Sequence, residues 1–176
     1  MESGQRYGFE RSNNPNSKSI MKFVLLTIAS AEEDWSTEAF DLYTKKISHF
    51  TQFEIINLKH KKISRNSAVE KIKADSESIL ANIKDDDFVI LMDEKGKSFD
   101  SIQLSKKIEN ILLSGKKRCV WIVGGAFGVD ETIKNRAQIV VSMSTFVFNH
   151  LVAQVVLLEQ IYRSFTIIKN IPYHNK

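Results

Sequence analysis

Cysteine is almost missing from the chain: its 176 residues contain one, Cys119. A single thiol excludes a disulfide framework and a cysteine metal centre. It stands in the apolar run Cys119-Val120-Trp121-Ile122-Val123, where it reads as a small buried hydrophobe, and a chain without disulfides fits a reducing, cytoplasmic compartment. Long apolar runs are missing as well. No stretch approaches the roughly 18 consecutive apolar residues that a bilayer span needs, so neither a membrane nor a metal is expected as a partner. Residues 1–20 lack both periodicity and the hydrophobic core of a signal peptide. They read as a disordered extension ahead of a second methionine, Met21. Two phosphate-binding signatures are also absent. The glycines at 124, 125 and 128 do not have the G-x-G-x-x-G spacing, and no G-K-[ST] element follows them. Hydride transfer and nucleoside triphosphate hydrolysis both lose ground.

What is present describes a folded domain. Hydrophobic residues make up 43% and charged residues 26%, which suits one globular unit over residues 21–176 with its own core. Lys and Arg number 25 against 21 Asp and Glu, and part of that excess gathers in Lys59-His60-Lys61-Lys62 with Arg65 nearby. Such a run suits a polyanion and equally suits a solvated loop.

From Met21 onward, short β-branched runs alternate with helical patterns, the mark of an α/β fold whose mostly parallel sheet carries helices on both faces. The strands expected are Lys22 to Ala29, Phe53 to Leu58, Phe88 to Met92, Cys119 to Val123 and Ile139 to Val141. Between them, Ser36 is placed to cap a helix bearing Phe40, Tyr43, Ile47 and Phe50. A second helix carries Val69, Ile72, Ile79, Leu80 and Ile83. A third starts near Asp100 and stops at Gly115, a good left-handed terminator. The last, from about Asn149 to Phe165, is apolar nearly all round. A helix of that kind needs two covering surfaces; its own sheet is one, and a second copy of the chain would supply the other.

Ligands of open α/β sheets bind outside the carboxyl ends of the strands, which directs attention to three loops. The first is Met92-Asp93-Glu94-Lys95-Gly96-Lys97. The second is Gly124-Gly125-Ala126-Phe127-Gly128, either a backbone approach for a ligand or a tight turn with none. The third runs from Ser142 to His150 and mixes hydroxyl and apolar side chains. Spacing alone does not separate it from an ordinary loop.

These elements, together with Glu159-Gln160-Ile161-Tyr162-Arg163 and the closing Pro172-Tyr173-His174, resemble in order and position the small SPOUT-class enzymes that methylate N3 of a pseudouridine in large-subunit ribosomal RNA, the RlmH family. The resemblance runs from Met21 to the C-terminus. It implies a SPOUT-type α/β knot, a deep trefoil that is an exception to the rule against threaded chains, and a homodimer whose active site is shared between subunits. It implies S-adenosylmethionine as cofactor, held bent in the knot by Met92, by the glycines Gly124, Gly125 and Gly128, and by the stretch Met143, Ser144, Thr145, Phe146, Val147 and Phe148. The implied substrate is 23S ribosomal RNA, in the large subunit or the whole ribosome.

Methyl transfer is an in-line displacement, and most of its catalysis comes from alignment. The imide proton must leave, so a base or a nearby cation should help. His150, Arg163, Tyr173 and His174 are the candidates. Three have a plainer alternative: Arg163 as an i,i+4 partner of Glu159, His174 in a frayed terminus, His150 as a cap or packing group. The chain also departs from the family. Val147 and Asn149 replace the usual Thr and Pro before the histidine, Gln154 replaces an Arg four residues after it, and Met92 replaces Leu. Losing the cation at 154 leaves open a rival reading, an RNA- or ribosome-binding module without activity, and because a fold does not fix its substrate a second stays open, a SPOUT methyltransferase for another RNA base.

Overall fold

Five short runs of aliphatic residues pair side by side, all parallel, in the computed structural model, which describes residues 21–28, 33–59 and 67–175. They are β1 (Lys22–Ile28), β2 (Phe53–Leu58), β3 (Phe88–Ser98), β4 (Arg118–Val123) and β5 (Ile139–Ser142), in the order β2-β1-β4-β3-β5. Between and after them run α1 (Asp34–Ser48), α2 (Ala68–Leu80), α3 (Ser101–Leu113), α4 (Glu131–Arg136) and α5 (His150–Ile168).

Successive strand residues point to opposite faces, and here both faces are covered. Phe23, Leu25, Ile90, Cys119 and Trp121 join the core formed with α1, α3 and α5. Val24, Leu26, Val89, Leu91, Val120 and Ile122 join the core that includes Ile79 of α2 and Ile133 of α4. Double burial is why the strands read as unbroken apolar runs rather than alternating ones. Cys119 is buried in the first core, where desolvation pushes its thiol well above the ordinary value. The Trp121 Nε1 finds no hydrogen-bond partner among the described residues, a cost of about 1–3 kcal/mol that the buried indole offsets by its area.

α5 packs against α1 and α3 as well as the sheet. Phe165 meets Phe23 edge-on at 5.3 Å and stacks on Phe50 at 5.5 Å. Much of the second cover that the all-round apolar pattern required therefore comes from this chain's own helices. α5 is also the one described helix long and apolar enough to cross a bilayer, and its burial in the domain accounts for that composition. The apolar side chains left open lie at its start: Val152 is 37% exposed, with Phe146 and Val147 just ahead of it at 79% and 87%.

Several boundaries differ from expectation for local reasons. Glu33, not Ser36, is the N-cap of α1; Ser36 sits in the first turn, and its Oγ accepts the Glu33 N–H at 3.1 Å. The short α4 was not anticipated, because six residues show no usable periodicity; Asp130 caps it, accepting from the Thr132 and Ile133 N–H groups. β3 continues to Ser98 instead of stopping at Met92. Met92 and Lys97 both stand opposite Val141, so residues 93–96 swing out of the strand before it rejoins β5. A Cβ at Gly96 would lie 2.6 Å from the Val141 carbonyl carbon, so only glycine fits where the chain returns. Gly115 has φ 76° and follows the C-cap Ser114 of α3, as the terminator reading required. Ala29, the end of the first expected strand, and His60, Lys61, Lys62 and Arg65 of the basic run lie outside the described residues, as do residues 1–20.

At the amino ends of β3 and β4, Arg118 closes a bidentate pair with buried Asp87, with Nε to Oδ1 at 3.0 Å and Nη2 to Oδ2 at 2.7 Å, and Nη2 also donates to the Asn82 carbonyl. This pair pins the loop entering β3 to the start of β4.

Candidate cofactor cleft and C-terminal cluster

The carboxyl ends of β3, β4 and β5 open into one cleft of about 440 Å³, within the range of small-molecule sites. The three loops singled out in the sequence form its walls. Residues 92–95 supply one, 123–129 a second, and 141–148 a third apart from Thr145. The glycine loop is a tight turn in which the Gly128 N–H donates to the Gly125 carbonyl at 2.9 Å, and Gly128 has φ 79°. A Cβ at Gly124 would come within 2.9 Å of Val129 Cγ1, so bare backbone faces the cleft there. In the third loop the Ser144 Oγ accepts the Phe146 N–H at 2.9 Å, and the Ser142 Oγ donates to the Ser144 carbonyl at 3.1 Å. Those bonds hold a segment that has no strand or helix of its own.

His150 does not line this cleft. Its Nε2 lies 3.1 Å from Thr27 Oγ1 and 3.2 Å from the Ile28 carbonyl, tying the start of α5 to the end of β1. Among the candidates for proton handling it is the packing group. Its neighbour Asn149 caps α5, its side chain accepting the Leu151 N–H at 2.9 Å.

The other three candidates gather near the far end of α5. Thirteen residues separate His150 from Arg163, about 20 Å at the α-helical rise. There Glu159 Oε1 accepts from Arg163 Nε and Nη2, at 2.9 and 2.6 Å, and from the Tyr173 hydroxyl at 3.1 Å. Arg163 Nη1 stands 3.3 Å from His174 Nδ1, and the guanidinium lies over the Tyr173 ring at 4.7 Å. Tyr162 meets the same ring edge-on at 4.8 Å. The i,i+4 pair is thus part of the same cluster as the other two candidates, and the tail is docked, not frayed. Burial, reinforced by the hydrogen bond to Glu159, holds the Tyr173 phenol well above its ordinary pKa, so it stays protonated near neutrality. The same carboxylate raises the Arg163 pKa. Among the described residues, no group of three or more His, Cys, Asp or Glu side chains converges as metal ligands would.

Comparison with known proteins decides the family. The family model described as "Predicted SPOUT methyltransferase" matches residues 21–174. The chain belongs to the SPOUT methyltransferase family. It is 56% identical over 155 residues to the ribosomal RNA large subunit methyltransferase H of Bdellovibrio bacteriovorus, covering 88% of this chain and 99% of that one. It is 35% identical over 158 residues to the protein of the same name from Streptococcus pneumoniae CGSP14, again over 88% and 99%. Among solved structures, the tRNA (m1G37) methyltransferase of Aquifex aeolicus is similar at a TM-score of 0.48 and 17% identity, over 82% of this chain and 69% of that one.

Within the SPOUT frame, three of the four departures noted in the sequence have local explanations, and nothing in the structure explains Val147. Asn149 acts as a helix cap where proline is usual. Gln154 is 3% exposed, on the buried side of α5 with Leu151, Leu158 and Ile161, where a neutral residue avoids the cost of desolvating a cation. Met92 lines the cleft in place of Leu at similar volume. Sequence reasoning missed Lys134, which reaches the cleft from α4 while bonded to Glu131 at 2.7 Å. It also missed the organising part of Glu159, for which the four-residue spacing to Arg163 was the available signal.

Proposed function

We propose that this chain transfers a methyl group from S-adenosylmethionine to N3 of a pseudouridine in 23S ribosomal RNA, acting on the assembled large subunit or ribosome. The observation that carries the reading is the single cleft where the three loops meet, in a chain that spans 99% of relatives named for large-subunit ribosomal RNA methylation. The lining fits the cofactor: glycine backbone at 124, 125 and 128, apolar Met92, Met143 and Phe148, and the polar groups of Ser144 and its neighbours. Thr145, Phe146 and Val147 complete the same segment. When bound, the cofactor supplies a sulfonium methyl open to nucleophilic displacement.

The chain's own residues then have two tasks. The loops hold the donor and exclude water. Arg163, oriented by Glu159, offers a cation to the imide anion left when the N3 proton departs, and His174 beside it is the group placed to take that proton. Tyr173, kept as a phenol, packs and donates a hydrogen bond. Because Arg163 stands about 15 Å along α5 from Ala153, the helix residue that lines the cleft, one chain does not bring both halves together. A homodimer in which one copy's tail serves the other's cleft does so, and it covers the open Phe146, Val147 and Val152. We read the passage from β5 into α5, which returns to the end of β1, as the threaded step of a trefoil knot.

The test is mass mapping of ribosomal RNA after incubation of whole ribosomes, or of free RNA, with the protein and cofactor. A methyl on a pseudouridine in ribosomes is expected. Methylation only of free or transfer RNA, or of another base, contradicts the reading. Mixing a His174→Ala chain with a Gly124→Val chain should restore part of the activity lost in each alone; no recovery in verified mixed dimers removes the shared site.

A further inference from the structure

The rim of the cleft carries an aromatic ring that the cofactor reading does not use. Phe127 sits at the third position of the Gly125–Gly128 turn, closed by the Gly128 N–H to Gly125 carbonyl bond. It is 54% exposed although it lines the cleft. Exposing a phenylalanine to water at the tip of a rigid turn forgoes the burial that such a side chain brings elsewhere in the chain. The ring is not alone: Lys71 of α2 places its Nζ 5.2 Å from the ring centroid. A turn-mounted aromatic beside a flexible cation, at the mouth of a small-molecule cleft, is the pairing by which proteins hold unpaired nucleic acid: the ring stacks on a base, and the cation meets the backbone phosphate.

We propose that Phe127 and Lys71 form a strand-gripping site on the substrate RNA, in which Phe127 stacks on an unpaired base flanking the target and Lys71 neutralises its phosphate. The inference rests on the reading of the chain as an RNA methyltransferase, and it assigns part of the specificity to the rim instead of the cofactor cleft. Stacking fixes how far the target base reaches toward the donor, while the glycine turn beneath holds the ring in place.

The test uses the full chain and measures affinity for purified large ribosomal subunits separately from methyl transfer. Phe127→Ala and Phe127→Leu should each weaken ribosome binding and raise the KM for ribosomes roughly 5- to 100-fold, well beyond any loss of cofactor affinity and with Tm unchanged, and Phe127→Tyr should restore both. Lys71→Ala should reduce the slope of log affinity against log salt by roughly 0.7 to 0.9. Unchanged ribosome affinity in Phe127→Ala overturns the proposal. So does full affinity in Phe127→Leu, which would leave only an apolar contact, and so does a loss of cofactor affinity in Phe127→Ala as large as the loss for ribosomes, which would assign the whole effect to the cofactor cleft. A wild-type chain that methylates no RNA sinks the enzymatic reading, while the binding comparison still decides the rim.

Discussion

Replacing Gly96 by alanine strikes at the point where β3 rejoins the sheet. The added Cβ would lie 2.6 Å from the Val141 carbonyl carbon, 2.7 Å from the Val141 nitrogen and 2.8 Å from the Ser142 nitrogen. All three are backbone atoms of an edge strand, so no rotamer change relieves the clash. Ordinary contact begins at 3.4 Å, which requires a separation of 3.4 − 2.6 = 0.8 Å between β3 and β5. Overpacking of this kind costs about 1–3 kcal/mol, and for a chain of this size each kcal/mol lowers Tm by roughly 2–4 °C. A fall of about 2–12 °C is therefore expected. Because residues 93–95, just ahead of Gly96, wall the cleft, cofactor affinity measured by calorimetry should fall with it. Gly115→Ala is the control. Its Cβ would meet open space, but its φ of 76° makes it cost about 1–2 kcal/mol without touching cofactor binding. A Gly96→Ala chain with Tm within 1 °C of wild type and the same cofactor affinity would refute the reasoning.

Two further perturbations follow from the same geometry. Asp87→Ala strands Arg118, whose partner carboxylate is 1% exposed, and should cost about 3–5 kcal/mol in urea unfolding, with Asp87→Asn costing less; an unmoved midpoint contradicts the pairing. Tyr173 has its folded pKa raised from an ordinary 10.0, first by burial and then by its bond to Glu159. The unfolded chain therefore ionises first, and the stabilisation, whole below pH 10, is lost as pH rises past it. Wild-type Tm should fall more steeply than that of Tyr173→Phe as pH rises above about 10, and parallel curves would remove the effect.

The strands were legible because their apolar runs are doubly buried: Phe53–Leu58 lies where it was expected, and Cys119–Val123 needed only Arg118 added. The detour of β3 was not, since its cause is a tertiary contact between Gly96 and Val141 that carries no local signature. α4 escaped for want of length. At the site, the glycine loop stood out by composition, whereas only the family resemblance separated the Ser142 to His150 segment from an ordinary loop; the cleft brings the two together. The distance between that cleft and the Arg163 cluster was invisible, because sequence order places His150 and His174 in one continuous C-terminal stretch while a straight helix carries them to opposite ends. The all-round apolar helix misled in degree, its neighbours α1 and α3 being drawn from far upstream.

That helix has a consequence for synthesis. α5 is the last of the ten elements to leave the ribosome, yet it covers Phe23 and Trp121 from strands made long before. Until its residues emerge, the strip of the sheet between α1 and α3 stays uncovered and prone to sticking. A chain stalled short of Leu151 would be a client for chaperones, and the act that hides its apolar face is the same one that delivers Arg163 and His174.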